Sequence, residues 1–521
     1  AGADAVHPGY GFLAENAGFA AAVEAAGMIW IGPPPAAIEA MGDKVSARRV
    51  ATAAGVSSVP GSAEPITSPD EIEKFAAEYG WPVALKAAHG GGGRGFRVVH
   101  KAGESAQAFE GAGREAQVAF GNPELYLERY LEKPRHVEVQ VFGDAFGNLI
   151  HLGERDCSLQ RRHQKLVEES PSPAVDEKLR AEMGEAAVRV AREAGYWSAG
   201  TVEFLLETTD TGPRFWFLEM NTRLQVEHPV TELVTGIDLA KLMIKIADGE
   251  ELPLSQDDVV LRGHAIECRI NAENPAKKFM PNPGRITEYL EPNGPGVRVD
   301  SGVIAGSEIA QSYDSLLGKL ICYGQDRDEA IERTVRALDE FHVVGLRTTI
   351  PFFKTAIAAD WFRAGNFSTS TVENEMDLSS ISSEPDSSAR IRPASAGDGG
   401  ETLTRNVTVE LDGKRFDVRF SERQDPRRSR TKPKPPDLSR AAGQSGTGET
   451  ITASMQGTIV KILFDIGKPV KAGEAVIVLE AMKMENLLLC HRDGVLKELK
   501  VKPGDTVTAG TTLAVIESEP T

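Results

Sequence analysis

The sequence lacks the features that mark membrane, secreted and nucleic-acid-binding proteins. No apolar run approaches the ~20 residues that a membrane-spanning helix requires, and no stretch resembles a secretory signal. The formal net charge of -18 argues against a partner with a polyanionic surface. These absences favour a cytoplasmic protein. They leave the mitochondrial matrix open, because the chain starts without methionine inside what resembles a truncated domain.

Cysteine is also scarce. The 521 residues include four cysteines, with no CxxC pair and no histidine nearby at metal-ligand spacing. We therefore expect buried, reduced, structural thiols at Cys157, Cys268, Cys322 and Cys490. A Walker phosphate loop is missing as well, since no Gly-Lys-Ser/Thr occurs.

Length and composition set the scale of what is present. A chain of 521 residues has room for roughly three to four domains, and its 41% apolar and 26% charged content is ordinary for a globular protein. Up to about residue 372, helix-period segments alternate with strand-like runs, which indicates an α/β or α+β body of enzyme size. The Ser-, Pro- and Gly-rich stretch 379–400 predicts a linker.

Three further features lie downstream. Alternating runs around Asp412-Gly413 predict a β-hairpin over 404–420, and we expect it to pair with another sheet or a partner because a lone hairpin is marginally stable. A second linker, rich in Pro and charge, covers about 423–449. Beyond it, a shift of 37 positions lays 457–480 on 494–517 with seven identities, three of them glycine. This repeat predicts a flattened two-fold β-barrel or sandwich, with Lys483 at a tight turn between the halves.

A glycine-rich loop, AAHGGGGRGFRVV (87–99), follows a strand that ends at Lys86. It contains Gly-x-Gly-x-x-Gly, but the next segment is strand-like and not helical, so a Rossmann interpretation fits poorly. Glycines between two strands expose backbone N–H groups that can close over phosphates. With Arg94, Lys86 and Lys44, the loop predicts a phosphate-binding hairpin. The alternative is an ordinary hairpin tip.

Carboxylates mark a second predicted hairpin, formed by the runs 201–207 and 214–221. Glu203 on one run can share a face with Glu219 and Asn221 on the other, since residues two apart on a strand point the same way. Such oxygen ligands suit Mg²⁺ or Mn²⁺ beside nucleotide phosphates. The alternative, a solvated hairpin face, is disfavoured because both runs are apolar and buried unpaired carboxylates are costly.

Polar residues continue in alternation past this hairpin. A straight strand would spread Glu219 to Glu227 over roughly 26 Å at ~3.3 Å per residue, too far for one small site. We therefore expect the chain to bend near 223–226 and to bring Arg223, Gln225 and Glu227 around an anionic substrate beside the metal. A carboxylate next to an arginine stays ionised and can act as a base.

Eight long motifs carry a resemblance to a known family. They are HPGYGFLAEN (7–16), MGDKVSA (41–47), KAAHGGGGRG (86–95), ERDCSLQRRHQK (154–165), EMNTRLQVEHPVTE (219–232), GHAIECRINAE (263–273), YDSLLGKLI (313–321) and EAMKMEN (480–486). The chain resembles a biotin carboxylase of the ATP-grasp class fused to a biotin carboxyl carrier domain. This is the layout of the α subunit of an acyl-CoA carboxylase, in its short actinobacterial-type form, and the resemblance covers the chain except 375–449.

The resemblance implies an α/β (α+β) ATP-grasp biotin carboxylase body, truncated at its N-terminus, and a C-terminal all-β flattened barrel of the biotinyl/lipoyl type. The implied divisions are the remainder of the N-terminal subdomain (1–40), the ATP-grasp domain (41–250, with a lid at about 58–130), the biotin carboxylase C-terminal subdomain (251–374), linkers with the short hairpin (375–449) and the carrier domain (450–519).

The resemblance also implies roles for individual residues. ATP is held by Lys44, Lys86, Gly92, Gly93, the segment from Glu128 to Leu131, His136 and His163. Mg²⁺ or Mn²⁺ is bound by Glu203, Glu219 and Asn221. Bicarbonate is held by Arg223, Gln225, Val226 and Lys165, with Glu227 as its base. Arg298 stabilises the negative charge that develops on the ureido oxygen of biotin, as an oxyanion hole does, and Lys483 carries the biotin.

The implied reaction overcomes the poor electrophilicity of bicarbonate. In the family, ATP phosphorylates bicarbonate to carboxyphosphate, whose carboxyl group, or the CO₂ that it releases, is attacked by biotin. No segment resembles a CoA-binding carboxyltransferase, so a separate β subunit in an α/β hetero-oligomer is implied. A biotin protein ligase to load Lys483 and products of the malonyl-CoA or methylmalonyl-CoA type are implied too.

Two alternatives stay open at this point. One is the α subunit of a methylcrotonyl-CoA carboxylase or of a two-subunit pyruvate carboxylase. The other is a non-catalytic carrier or scaffold with lipoate on Lys483, although lipoyl lysines usually have acidic or small neighbours and this lysine stands between two methionines.

Overall fold

The computed structural model divides into two units, Ala1–Pro385 and Asp386–Thr521. The structure describes residues 2–11, 13–62, 64–87, 96–120, 122–209, 212–310, 312–381, 402–411, 414–423, 450–453, 456–481, 484–508 and 510–517. The predicted glycines Gly92 and Gly93 and the predicted biotinyl residue Lys483 lie outside the described residues.

An eight-stranded sheet forms the centre of the first unit, and all its neighbouring strands run antiparallel. In spatial order the strands are Gly212–Asn221, Ser198–Thr209, Arg135–Gly143, Leu149–Arg161, Gln164–Ser170, His264–Asn271, Leu316–Gly324 and Val297–Ser301. Antiparallel strands need no crossover helices, so the body takes the α+β form of the predicted class.

Helices cover both faces of this sheet. Successive side chains of a strand point to opposite faces, and apolar side chains on each face pack against helices. Val139 and Val141 pack with the helix Glu177–Glu193, whereas Phe142 packs with Leu239–Ala247. The remaining α-helices are Ala17–Ala25, Pro35–Gly42, Lys44–Ala53, Asp70–Tyr79, Ser105–Phe120, His228–Thr235, Arg327–Glu340, Ile350–Ala358, Asp360–Arg363 and Thr371–Asn374. Short 3₁₀ turns are Ala102–Glu104, Gln256–Asp258, Pro275–Lys277 and Leu378–Ser380.

A three-stranded sheet in the order Phe96–Val99, Val83–Ala87, Leu125–Arg129 lies under the helices Asp70–Tyr79 and Ser105–Phe120. Its first two strands pair antiparallel up to Lys86 opposite Phe96, so the glycine loop joins two strands, as predicted. Four further two-stranded pairs are Ala5–Val6 with Ile29–Trp30, Glu273–Asn274 with Met280–Pro281, Gly284–Arg285 with Glu308–Ile309, and Glu288–Leu290 with His342–Val344.

The described residues between 450 and 517 form two four-stranded sheets. One has the order Thr450–Thr452, Thr512–Glu517, Gly494–Leu499, Pro469–Val470, and the other has the order Met484–Leu489, Ala475–Ala481, Gly457–Ile462, Thr506–Val507. The repeat is confirmed strand by strand, since the three strands that begin at Gly457, Pro469 and Ala475 recur 37 residues later. Gly457 and Gly494 play the same part: a Cβ on either would clash with a backbone carbonyl, of Glu480 or Glu517.

Other expectations are also met. The hairpin is present as Thr402–Leu411 paired with Lys414–Arg423, with Asp412-Gly413 outside the described residues. Within the described residues this sheet has two strands, and its expected partner stays a prediction. The four cysteines are buried and free. Among the helices described, none has both the length and the apolar character that crossing a bilayer requires.

Candidate active site

A polar stripe crosses one face of the large sheet at its middle. His136, Glu138 and Gln140 alternate with Val137, Val139 and Val141, so the strand Arg135–Gly143 has one polar and one apolar face. The strand register continues the stripe sideways: Glu138 lies opposite Glu203 on one side and opposite Arg155 on the other. Charged side chains that are distant in sequence therefore gather on one buried surface.

Lys165 ties three carboxylates of this surface together. Its Nζ donates to Glu138 Oε2 at 2.6 Å, Glu203 Oε1 at 2.8 Å and Glu227 Oε1 at 2.7 Å. Burial opposes the charge on Lys165, but Glu138, Glu203 and Glu227 outweigh it and raise the pKa of this lysine well above its ordinary value. Lys165 is therefore a fixed cation at the centre of the site.

Glu227 stands where the chain leaves the sheet. It precedes the helix His228–Thr235, and its Oε2 accepts from Arg269 Nη2 at 2.8 Å. Burial would raise the pKa of Glu227, but Lys165, Arg269 and Arg155 outweigh burial and hold it far below its ordinary value. The structure thus keeps a fully buried carboxylate ionised, as a base for an anionic substrate requires.

Arg155 fixes the surrounding side chains. Although it is 0% exposed, it donates from Nε to Glu138 Oε1 at 2.6 Å, from Nη1 to Gln140 Oε1 at 2.7 Å and from Nη2 to Gln225 Oε1 at 2.7 Å. A buried guanidinium is tolerated when its donors are satisfied in this way. It locks Gln225 and Glu138 in place around Lys165.

The donor set for a divalent cation centres on Glu203. His136, Glu138 and Glu203 offer ligand atoms that all lie within 4.8 Å of one another, and Asn221 Nδ2 donates to Glu203 Oε1 at 2.8 Å. Glu219 lies opposite Glu203 in the strand register, and burial, together with the charge of Glu203, raises the pKa of Glu219. The three predicted ligands Glu203, Glu219 and Asn221 are thus brought together. Their oxygens fit a hard cation such as Mg²⁺ or Mn²⁺.

A β-bulge makes this meeting possible. Phe217 lies opposite Phe204, yet Glu219 lies opposite Glu203, so one extra residue is inserted on the second strand. A regular register would have placed Leu218 opposite Glu203, with Glu219 on the other face. Leu218 is the inserted residue, and it is 36% exposed.

The predicted bend is present after the strand ends at Asn221, with a bend at 223 and a turn at 226–227. Arg223 Nη2 donates to Asn221 Oδ1 at 3.2 Å. Gln225 Nε2 reaches Glu203 Oε1 at 3.2 Å, and the carbonyl of Val226 accepts from Lys319 Nζ at 2.8 Å. The bend therefore brings the predicted anion-binding residues beside the carboxylate cluster.

Arg223 has a further partner from the start of the chain. Glu15 Oε2 lies 3.2 Å from Arg223 Nε, and Glu15 Oε1 accepts from the backbone N–H of Thr222 at 3.1 Å. The two contacts fix the guanidinium and the chain just before it.

The residues predicted for the nucleotide differ in their relation to this cluster. His136 Nε2 is 2.9 Å from Glu203 Oε2. Lys44 begins the helix Lys44–Ala53, and its charge acts on Glu219. Lys86 pairs with Glu128, and Leu131 is buried. His163 is exposed in a tight turn with positive φ, and within the described residues it makes no hydrogen bond or ion pair with the cluster.

Arg298 is placed one step away. Its Nη1 donates to Glu232 Oε2 at 2.7 Å, while Nε and Nη2 bind Asp300 at 2.7 and 2.9 Å. Burial would lower the pKa of Arg298, but Asp300 and Glu232 outweigh burial and raise it. Asp300 lies 3.4 Å from Lys319, whose Nζ binds the carbonyl of Val226. Arg298 therefore reaches the bend through two intermediates.

Three central residues, Glu138, Arg155 and Arg269, were not predicted from the sequence. For Glu138 and Arg269, the signal that could have found them is alternation. Glu138 stands in HVEVQVF (136–142) and Arg269 in ECRIN (267–271), two runs in which charged residues alternate with apolar ones. A charge at every second position of an otherwise apolar strand indicates a buried polar face.

Models of four protein families match the chain. They are "Biotin carboxylase, N-terminal domain" over residues 1–38, "Carbamoyl-phosphate synthase L chain, ATP binding domain" over 43–255, "Biotin carboxylase C-terminal domain" over 267–374 and "Biotin-requiring enzyme" over 449–516. With the site above, they define an ATP-grasp biotin carboxylase joined to a biotin carrier domain.

Individual relatives agree. The Mycobacterium leprae biotin-dependent acyl-coenzyme A carboxylase alpha3 subunit is 47% identical over 99% of this chain and 87% of its own length. Bacillus subtilis biotin carboxylase 1 is 54% identical over 71% of this chain and 82% of its own. The biotin carboxylase domain of Hydrogenobacter thermophilus 2-oxoglutarate carboxylase, solved with MgADP, ADP and bicarbonate, is 48% identical with a TM-score of 0.64, covering 71% and 82%. The chain belongs to the family of biotin-dependent acyl-coenzyme A carboxylase α subunits.

Proposed function

We propose that the cluster around Lys165 activates bicarbonate in this biotin carboxylase, with Glu227 as the base. The chain catalyses the ATP-dependent carboxylation of biotin and uses biotin, ATP and Mg²⁺. The observation that supports the role of Glu227 is its setting: this buried carboxylate accepts from Lys165 at 2.7 Å and from Arg269 at 2.8 Å, and both cations favour its ionised form. A buried carboxylate that is held in position by such contacts can accept a proton from a bound anion.

Each residue then has a defined part. Arg223, Lys165 and the Gln225–Val226 segment hold bicarbonate, and Glu227 removes its proton. The carbonate oxygen attacks the γ-phosphorus of ATP, the bond to the bridging β–γ oxygen breaks, and ADP leaves, which yields carboxyphosphate. Positive groups preplaced around a developing charge stabilise a transition state without reorganisation.

The cation site fits the carboxylates described above. Glu203, Glu219 and Asn221 would hold Mg²⁺ or Mn²⁺, and His136 and Glu138 add donors on the same side. When bound, the cation neutralises charge on the nucleotide phosphates. The nucleotide would be held by Lys44, Lys86, His136, His163, the segment from Glu128 to Leu131 and the loop that includes Gly92 and Gly93.

Arg298 is our proposed stabiliser of charge on the ureido oxygen of biotin. Arg269 is a second candidate for this role, because it contacts Glu227 at 2.8 Å whereas Arg298 is bound by Glu232 and Asp300. Comparing Arg298→Ala with Arg269→Ala separates them. The stabiliser should lose biotin carboxylation more than bicarbonate-dependent ATP hydrolysis without biotin.

Two substitutions test the bicarbonate site. Arg223→Ala and Glu227→Gln should each abolish bicarbonate-dependent ATP hydrolysis while nucleotide binding is spared. Glu273→Gln is the control, since this carboxyl is also buried but is bound by Ser315 and Asn271 away from the cluster. Near-normal turnover in either test variant would refute the assignment.

We propose that biotin is attached by an amide to Lys483. The carrier strands pair as far as Ala481 opposite Met484, which leaves Met482 and Lys483 as the two residues between them in sequence. A biotin protein ligase would load this lysine. Intact-mass analysis of the tail, with a streptavidin blot, distinguishes biotin from lipoate.

The chain works with a carboxyltransferase partner in a multi-subunit complex. We propose a CoA-binding β subunit that makes malonyl-CoA or methylmalonyl-CoA from acetyl-CoA or propionyl-CoA. A second candidate function is that of the biotin-carboxylating half of a two-subunit pyruvate carboxylase, favoured by 52% identity with a pyruvate carboxylase subunit of Methanothermobacter thermautotrophicus over 72% of this chain. A screen of acyl-CoA and pyruvate substrates, with co-purification of the β subunit, decides between them.

We also retain the predicted divisions at 1–40, 41–250, 251–374, 375–449 and 450–519 as a proposal, supported by the four family matches. The cytoplasm is the proposed compartment, which the four free, buried cysteines favour.

A further inference from the structure

Two buried carboxyl groups behind Glu227 have no part in the reaction described above. Glu168 and Glu267 lie opposite each other on neighbouring antiparallel strands, and each is 0% exposed. Within the part of the chain that the structure describes, neither oxygen of Glu267 has a hydrogen-bond partner, and neither has Glu168 Oε2. Buried carboxylates without donors are costly. A proton held on Glu267 relieves both groups at once.

Glu168 reaches the reaction through Arg269. The guanidinium donates from Nε to Glu168 Oε1 at 2.6 Å and from Nη2 to Glu227 Oε2 at 2.8 Å. One cation therefore serves two carboxylates, only one of which is the proposed base. How firmly Arg269 holds Glu227 in its ionised form depends on the charge of Glu168.

We propose, resting on the proposed function, that Glu168 is a positioning residue that sets the basicity of Glu227 through the guanidinium of Arg269, while Glu267 stays neutral and donates to Glu168. A neutral Glu168 leaves the guanidinium to Glu227 and weakens this base. An ionised Glu168 draws the guanidinium toward itself and adds a negative charge near Glu227, which strengthens the base.

The two carboxyls differ in when they ionise. Burial, with the charge of Glu227, outweighs Arg269 and Lys165 and raises the pKa of Glu168 to about 7. Burial, with the charge of Glu168, outweighs Lys319 and raises the pKa of Glu267 well above its ordinary value. Glu168 therefore changes charge in the neutral range, and the lack of donors to Glu267 among the described residues favours its protonated form.

The neighbouring groups do not compete for this transition. Burial raises the pKa of the Cys157 thiol well above its ordinary value, and burial lowers the pKa of His228 to about 4. Both stay neutral near pH 7. The other charged groups that face the pair from the packed strands and the helix end are Lys165, Arg155, Arg269, Lys319 and Glu227.

The test is the pH profile of bicarbonate-dependent ATP hydrolysis by the full chain with free biotin. The wild-type rate should rise with pH through about 7. Glu168→Gln is permanently neutral, so it should lose this rise. Its rate should be about tenfold lower above pH 8, which corresponds to a decrease of about one unit in the pKa of Glu227. Near pH 6 the rate should change little. Glu267→Gln mimics the neutral acid and should keep the rise, as should the control Glu273→Gln.

A second readout does not depend on activity. The infrared band of a protonated carboxyl should persist in the wild type above neutral pH and disappear in Glu267→Gln. A rise retained by Glu168→Gln, or an unchanged band in Glu267→Gln, would overturn the proposal. If Glu168→Gln does not fold, the wild-type pH profile and the band decide together, and a wild-type rate that does not rise through about pH 7 overturns the proposal. The proposed function has its own test: near-normal activity of Glu227→Gln would refute the role of Glu227 as the base, whatever the result for Glu168.

Discussion

Removal of Lys165 tests the electrostatic design of the site most directly. Lys165→Met keeps an apolar stem of similar length but takes away the cation that three buried carboxylates share at 2.6 to 2.8 Å. Loss of one partner from a buried ion pair costs about 3–5 kcal/mol. The carboxylates can limit this cost by binding a proton.

The free-energy cost of this protonation depends on pH. Protonating one carboxyl of ordinary pKa 4.5 at about pH 7.5 costs about 4 kcal/mol, because each pH unit above the pKa costs about 1.36 kcal/mol. At about pH 5.5 the same protonation costs about 1.4 kcal/mol. We therefore expect the destabilisation by Lys165→Met to be about 4 kcal/mol at the higher pH and to shrink as the pH falls.

The sign follows from linkage. In the wild type the pKa of Glu227 is lowered, so its contribution to stability is present above pH 4.5 and is lost as the pH falls below this value. In the variant one carboxyl of the cluster has a raised pKa, so its contribution is present at low pH and is lost as the pH rises. The two stability curves must diverge between about pH 5 and pH 8.

Tryptophan fluorescence during unfolding is a suitable assay, because all five tryptophans, Trp30, Trp81, Trp197, Trp216 and Trp361, belong to the first unit. Lys165→Arg keeps a cation and is the matched control, with a deficit that should not vary with pH. A deficit of Lys165→Met that is the same at pH 5.5 and pH 7.5 would refute the reasoning.

Two further predictions rest on local geometry. Glu203→Gln should weaken Mn²⁺ binding to the nucleotide-loaded enzyme by about tenfold or more, measured by electron paramagnetic resonance. Unchanged affinity would contradict a metal role. Gly457→Ala and Gly494→Ala should each destabilise the carrier by about 1–3 kcal/mol, because the added Cβ would overlap a carbonyl at equivalent places in the repeat. The stability of the carrier domain can be measured by the alkylation of buried Cys490 at increasing denaturant concentration, followed by mass spectrometry. Thr458→Ala, at an exposed position, is the control and should not change the stability.

Local patterns in the sequence predicted a large part of the fold. The carrier repeat, the glycine hairpin and the bend after Asn221 depend on alternation, glycine spacing and distance limits within short segments, and the structure has all three. The meeting of Glu203 and Glu219 was predicted on strand alternation alone, which is an incomplete reason. The bulge after Phe217 decides which face Glu219 occupies, and nothing in the sequence marks its position.

Contacts between distant strands could not be predicted in this way. Arg155 reaches Gln225, 70 residues later, and Arg269 joins Glu168 to Glu227 across 101 and 42 residues. Their positions depend on the order of strands in the large sheet, which local periodicity does not determine. Arg298 shows the same limit, because its partner Asp300 is only two residues away whereas its partner Glu232 is 66 residues away.

The balance of buried charges gives one reason both for a divalent cation at Glu203 and for a proton on Glu267. Lys165, Arg155 and Arg269 face the carboxylates Glu138, Glu203, Glu227 and Glu168 in a buried space, so three positive charges meet up to four negative ones. ATP and bicarbonate add further negative charge to the same space, where unbalanced charge is costly. A divalent cation at Glu203 offsets the phosphates on one side of Lys165. In the proposed arrangement, a proton on Glu267 and, below neutral pH, a proton on Glu168 reduce the number of negative charges on the other side of Lys165, so the field at Glu227 varies with the protonation of Glu168.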